Sequence, residues 1–216
     1  MPNYFTKPIL TASDEEYTML IEVSEEFEKQ KIDKTAHEKS GNPAEIVLRR
    51  HLLTRKINLS MIPNVTIEKS KIKNSLLLLK NGVDPNQEIY SPDQVKMVIE
   101  VKNNSVGAKT LKNGKLEDPN KALRIKFNEL EATANVRNFA IVVFSEMLLP
   151  PKSPFKWRFK EEMIGKANCK VFTLVARQIY PAGGLYIKAN IDEMLQKGQM
   201  KKTGEFLELI NYIKCL

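Results

Sequence analysis

The segment Gln94 to Asn104, QVKMVIEVKNN, sets the tightest limit on what this chain can fold into. Val95, Met97, Val98, Ile99 and Val101 form an apolar, β-branched run, the composition of a buried strand. Glu100 and Lys102 interrupt it two residues apart, so on a strand both project from the same face. A carboxylate and an ammonium withdrawn from water need partners or a metal, and are costly without them. A structural ion pair, or a strand end that reaches water, satisfies the same pattern as a functional site does.

The 216 residues suffice for one α/β domain with a substantial core, and no internal repeat or second boundary is visible. Cys169 and Cys215 make no CxxC pattern, and His37 and His51 lie far from both, so neither a zinc site nor a disulfide framework is expected. That usage points to a reducing, cytoplasmic setting. The start, MPNYFTKPILTASDEE, lacks the form of a secretory signal, and no apolar run approaches a membrane span.

Net charge is +8 and unevenly spread. Residues 1–30 hold seven acids and two bases, leaving 32 bases against 19 acids in the rest. A body this basic suits a polyanion, most simply nucleic acid, although surface lysines that only maintain solubility give the same balance.

In chain order, Asp14 to Gln30 reads as a helix with Leu20, Val23 and Phe27 on one face and a solvated acidic outer face. Lys31 to Asn42 reads as a loop. Ala44 to Lys56 is a second helix, with Asn42 as cap, Pro43 in the first turn and Leu48 and Leu52 on one face. Glu45 is either a first-turn acid favoured by the helix dipole or a residue aimed into a site.

Leu59 to Ile67, with Pro63, reads as an irregular or edge segment. Lys69, Lys71 and Lys73 alternate and would share one face if extended, for phosphate contacts or for edge protection. Ser75 to Lys80, SLLLLK, is a short buried strand closed by the Asn81-Gly82 turn signal. Gly82 to Asp93 reads as a loop. The two apolar runs are then expected to pair as an antiparallel hairpin.

Beyond Asn104 the chain is a basic loop by composition, with Lys109, Lys112 and Lys115. Asp118-Pro119 opens a helix with Leu123, Phe127, Leu130 and Ala134 as its stripe. Asn138 to Phe144 predicts a strand buried on both faces. In FKWRFK, Phe155, Trp157 and Phe159 alternate with Lys156, Arg158 and Lys160. That pattern suits an ordinary strand with one buried aromatic face first, and stacking on bases as well. Lys170 to Ala176 is a further strand, and Ile191 to Gln196 and Glu205 to Ile213 are closing helices.

This order of elements, with Glu100-Val101-Lys102 on the second strand of a hairpin, resembles the PD-(D/E)xK nuclease superfamily, which includes many restriction endonucleases. The resemblance covers about Ala44 to Val175. It implies an α/β, restriction-endonuclease-like mixed β-sheet flanked by helices. The whole chain, 1–216, would be a single such domain with an N-terminal helical extension (1–42) and C-terminal helices (190–216).

The resemblance also implies chemistry. Phosphodiester hydrolysis in such enzymes uses Mg²⁺ or Mn²⁺ to polarise the phosphate and lower the pKa of an attacking water. By resemblance Glu100 and the Val101 carbonyl are metal ligands, Lys102 is the catalytic lysine, and Glu45 is the helix acid that supports a metal.

One element departs from the pattern. The motif's first acid belongs opposite Glu100 on the first hairpin strand. Pro92-Asp93 spells its letters, but Asp93 lies seven residues before Glu100, roughly 23 Å along a strand and on the opposite face. Asp84 lies at the far end of the hairpin. A symmetric hairpin pairing Lys80 with Val95 sets Ser75 opposite Glu100, or Asn74 if the register slips by one. Weaker metal binding, another acid reaching in, an altered chain or a degenerate site would each account for Ser75.

The expected function is a metal-dependent DNA endonuclease of restriction-enzyme type, a homodimer if it cuts both strands of a symmetric site. Lys71, Lys73, Lys109 and Lys112 are its expected nucleic-acid contacts. The alternatives are a catalytically degenerate nucleic-acid-binding protein on the same fold, and a protein-interaction domain whose Glu100–Lys102 pair is structural.

Overall fold

A computed structural model describes residues 15–32, 42–104, 118–147, 159–177 and 186–216. Its centre is β4 (Val95–Asn104), the predicted apolar run. On one side β4 pairs antiparallel with β2 (Leu76–Leu79), and on the other it pairs parallel with β5 (Phe139–Met147). β5 is buried on both faces from Phe139 to Phe144, as its unbroken apolar sequence requires. It continues the sheet to β6 (Cys169–Thr173) and β7 (Val175–Arg177), and β7 pairs antiparallel with β8 (Met200–Lys202). The result is a mixed sheet of six strands, with a separate parallel pair made by β1 (Thr66–Ile67) and β3 (Ile89–Tyr90).

Period-two alternation divides the interior into two cores. Met97, Ile99 and Val101 of β4 join Leu76 and Leu78 and Ala140, Val142 and Phe144 on one face. Three helices cover that face: α1 (Glu15–Ile32), α2 (Pro43–Thr54) and the C-terminal helix, Glu205–Lys214. Val98 joins Leu77, Leu79, Ile141 and Val143 on the other face, under α3 (Pro119–Ala134). The Asp118 carboxylate caps α3 by accepting the Asn120 N–H, and Leu123, Phe127, Leu130 and Ala134 are all buried, as their spacing predicts. Phe127 stacks on Phe139 with centroids 4.2 Å apart, fixing α3 over β5. Each such side chain contributes roughly 1.5–3 kcal/mol on burial. Glu100 and Lys102 share the parity of Val98 and therefore face α3.

The hairpin register needs one correction. Leu76 lies opposite Ile99, Leu77 opposite Val98 and Leu78 opposite Met97, but Leu79 lies opposite Val95. A bulge at Lys96 moves Val95 onto the α3 side with Leu79, so Lys80 does not pair with Val95. The irregularity sits at the turn end. The other end keeps the symmetric register, which by extension sets Ser75 opposite Glu100. Asn74 is not the alternative, because it pairs with Val65 instead.

Several expectations about segments fail for identifiable reasons. The run after Lys170 is two strands, not one: the Thr203 N–H and hydroxyl bond to the Leu174 carbonyl and draw the chain toward β8. The stretch from Gly82 to Asp93 is not all loop, since Ile89–Tyr90 forms β3 and Pro92–Gln94 is a 3-10 turn. Lys69 takes a left-handed backbone, φ 67°, so the three lysines do not lie along one extended segment, although each is exposed.

The acids of α1 are not simply a solvated face. Glu16 is buried, and Glu15, Glu22 and Glu26 pair with Arg50 and His51 of α2 and with Arg55 just after it. Leu20 and Val23 are buried, but Phe27 is largely exposed and leaves the predicted stripe. The remaining helices are α4 (Glu161–Ile164), α5 (Lys188–Gln196) and α6 (Glu205–Lys214). Among the described residues no helix is long and apolar enough to cross a membrane.

Candidate functional site

The two charges on β4 meet as the strand parity requires. Lys102 Nζ donates to Glu100 Oε1 at 2.7 Å. A second ammonium, which the sequence reading did not single out, arrives from α3. Lys126 Nζ donates to Glu100 Oε2 at 2.7 Å and to the Lys73 carbonyl at 2.9 Å. Each oxygen of Glu100 thus carries one lysine. Burial pushes the Glu100 carboxyl up, and the two ammoniums more than offset it, so it lies below the usual carboxylate range.

Lys126 sits three residues after Leu123 and four before Leu130, so it occupies the core-facing side of α3. A lysine at such a position was the available signal. It reads as a surface residue unless the partner across the layers is known.

On the β2 side, Ser75 lies close enough to Glu45 for its polar side chain to favour the charged carboxylate. The first turn of α2 delivers Glu45 there. Asn42 Oδ1 caps it by accepting the Ala44 N–H at 2.9 Å, and Pro43 takes the first helical position. Burial raises the Glu45 pKa and the negative charge of Glu100 adds to the rise, with Ser75 and Arg49 opposing them. Ser75 and Glu100 thus both act on Glu45, and Lys102 is bonded to Glu100. Val101 contributes only its main chain, because its side chain is buried in the opposite core.

Arg49 lies one helical turn after Glu45 and is almost wholly buried. Among the described residues its Nε and Nη2 have no hydrogen-bond partner, and neither does Asn74 Oδ1. Burial lowers the Arg49 pKa while Glu45 and Tyr90 oppose the change. Sequence reasoning missed this residue as well.

The site opens to water on its Lys102 side, where that side chain is 33% exposed against 19% for Lys126 and 9% for Glu100. Lys71 and Lys73 are exposed nearby in sequence, and the Lys73 main chain is tied into the site by Lys126. Lys109 and Lys112 lie outside the described residues, as does FKWR of the aromatic–basic segment; Phe159 is half-buried against the α3-side core and Lys160 is exposed. Asp84 and Asp93 are exposed and hold local turns through Asn86 and Ser91.

Among the described residues no three histidine, cysteine, aspartate or glutamate side chains gather to hold a metal ion. Mg²⁺, however, keeps several waters and takes only one or two protein carboxylates. Two carboxylates, a hydroxyl and a main-chain carbonyl are hard oxygen donors of the kind that ion prefers, so Glu45, Glu100, Ser75 and Val101 fit it. Fitting it requires that an ammonium yield an oxygen of Glu100.

No family model matches the chain, and no curated protein or solved structure matches it.

Proposed function

We propose that this protein is a Mg²⁺- or Mn²⁺-dependent endonuclease of restriction-enzyme type, related to the PD-(D/E)xK nucleases and acting on the phosphodiester bonds of DNA. The observation that carries the reading is the pairing of Glu100 and Lys102 at 2.7 Å on one strand face, with Glu45 acted on by both Glu100 and Ser75. When bound, the divalent ion supplies polarisation of the phosphate and acidifies an attacking water.

The chain's own residues supply the rest. Glu100 and Glu45 hold the ion, with Ser75 orienting the Glu45 carboxylate. The partly exposed Lys102 ammonium orients the water and steadies charge developing on the phosphate. The basic body, with the Lys73 main chain tied into the site and Lys71 exposed two residues before it, concentrates DNA there. Cutting both strands of a symmetric site would require two copies, which size-exclusion chromatography with and without DNA tests.

The deciding experiment is cleavage of supercoiled plasmid with Mg²⁺ or Mn²⁺, wild type beside Lys102→Ala and Glu100→Gln. Nicking by the wild type and loss in both variants is expected. Undiminished cleavage in Lys102→Ala would remove the catalytic role of that lysine.

A second reading has its own observation. Ser75 stands where a charged ligand belongs, and both oxygens of Glu100 are already held by lysines. A nuclease fold retained for DNA binding alone would give salt-dependent binding with no cleavage under any divalent ion.

A further inference from the structure

We infer that Lys126 is a built-in occupant of the cation position on Glu100, and that a divalent ion must displace it. The inference rests on the nuclease reading above and concerns how that site is kept in the absence of metal. The Lys126 ammonium bonds one carboxylate oxygen at 2.7 Å and one main-chain carbonyl at 2.9 Å. A carboxylate oxygen together with a backbone carbonyl is the donor pairing that a hard cation takes.

The two lysines on Glu100 are not equivalent. Lys102 shares β4 with its partner and is a third exposed, open to a phosphate approaching from solvent. Lys126 crosses from α3, is less exposed, and ties Glu100 to the Lys73 main chain beside β2.

Ammonium and dication compete for that carboxylate oxygen. An ion about 2.1 Å from Oε2 would stand against a positive charge now 2.7 Å from the same atom. Like charges that close repel strongly where water is excluded. Lys126 must therefore swing away as the ion arrives. Its ammonium then becomes a free donor next to the site, where the phosphate brings negative charge.

The arrangement also answers the serine. With no acid at Ser75, Glu100 is the carboxylate that most needs a partner, and Lys126 supplies one whenever metal is absent. The cost is competition: the ion binds more weakly than its ligands alone would allow.

The test is Mn²⁺ binding to the full chain, followed by the electron paramagnetic resonance signal of free Mn²⁺. Wild type is compared with Lys126→Met and Glu100→Gln. Lys126→Met, which keeps the length of the side chain and removes its charge, is expected to bind at least fivefold more tightly than wild type. Glu100→Gln is expected to abolish binding.

Glu100-dependent binding that is unchanged or weakened in Lys126→Met would overturn the displacement and leave the nuclease reading standing. Absence of Mn²⁺ binding in every form would overturn both. Should Lys126→Met fail to fold, the wild type serves alone. Acetic anhydride labelling read by mass spectrometry should show Lys126 acetylated severalfold faster at saturating Mn²⁺, relative to the exposed Lys214. Equal labelling of Lys126 with and without bound Mn²⁺ would overturn the inference.

Discussion

Glu16 and Glu100 are both glutamates withdrawn from water, 5% and 7% exposed, and the chain satisfies them by opposite means. Glu16 accepts main-chain N–H groups: Thr203 at 2.9 Å and Phe206 at 3.1 Å, with the Gly204 N–H also acting on it. It thereby caps the N-terminal end of α6 from 190 residues away in sequence. Glu100 accepts, among the described residues, side-chain ammoniums, one from its own strand and one from α3. Burial wins at Glu16 and raises its pKa, whereas the two cations win at Glu100 and lower it. Backbone donors are fixed by the fold, but a lysine can leave and return. The first arrangement builds structure; the second leaves a carboxylate ready to change partners.

That contrast breaks most visibly in activity. Under the nuclease reading, Glu100→Gln and Lys102→Ala should each lower plasmid cleavage by about 100-fold or more, in line with loss of one preorganised electrostatic group. Glu16→Ala should leave the cleavage rate per folded molecule unchanged. A Glu16 variant that folds normally yet loses cleavage would erase the functional distinction between the two acids.

Stability should reverse the emphasis. Glu16→Ala strips at least two charge-assisted bonds from the start of α6 and should cost about 2 kcal/mol, measured by urea unfolding at neutral pH. A cost under about 0.5 kcal/mol, the range of ordinary surface changes, would mean that water replaces the carboxylate at the end of α6.

The pH dependence should separate the two acids by sign. The Glu16 pKa lies above the unfolded value of about 4.3, so the folded protein binds that proton more tightly. Its contribution to stability is fullest below the unfolded value and declines as pH rises through the folded one. The Glu100 pKa lies below the unfolded value, so its contribution is present above it and is lost as pH falls through the folded one. Urea unfolding in chelator over roughly pH 3 to 6 should therefore show wild type losing ground to Glu16→Gln and gaining on Glu100→Gln as pH rises, by at most about 1.4 kcal/mol per pH unit for one proton. Slopes of the same sign would mean that the two environments do not differ as their partners imply.

The same contrast explains what could be read from sequence. Strand alternation put Glu100 and Lys102 on one face, and register arithmetic set Ser75 opposite Glu100, because both depend on spacing along one or two neighbouring segments. Pro43 and Asn42 marked the helix start that delivers Glu45. Lys126 and Glu16 escaped for a common reason. Each is a charged residue on an amphipathic helix whose partner lies across a layer, at Glu100 for one and at Thr203 and Phe206 for the other. Helical periodicity places such a residue at the edge of a stripe but says nothing about what waits there. The split at Leu174 and strand β8 were invisible for the same reason, since they depend on bonds from Thr203.

The smallest effect belongs to the ion pairs that burial does not sharpen. Arg50 of α2 reaches Glu22 and Glu26 of α1 at 3.0 Å each, but half of its side chain is exposed. Water screens the attraction there, and ordering a long side chain costs entropy. Arg50→Ala should therefore cost only about 0.5 kcal/mol, and the loss should shrink in 1 M NaCl, where the Debye length is about 3 Å. Urea unfolding at low and high salt reads both quantities. A salt-insensitive loss above about 1.5 kcal/mol would show that the α1–α2 seam is as withdrawn from solvent as Glu100, and that side-chain partners alone, without burial, do not mark out the β4 carboxylate.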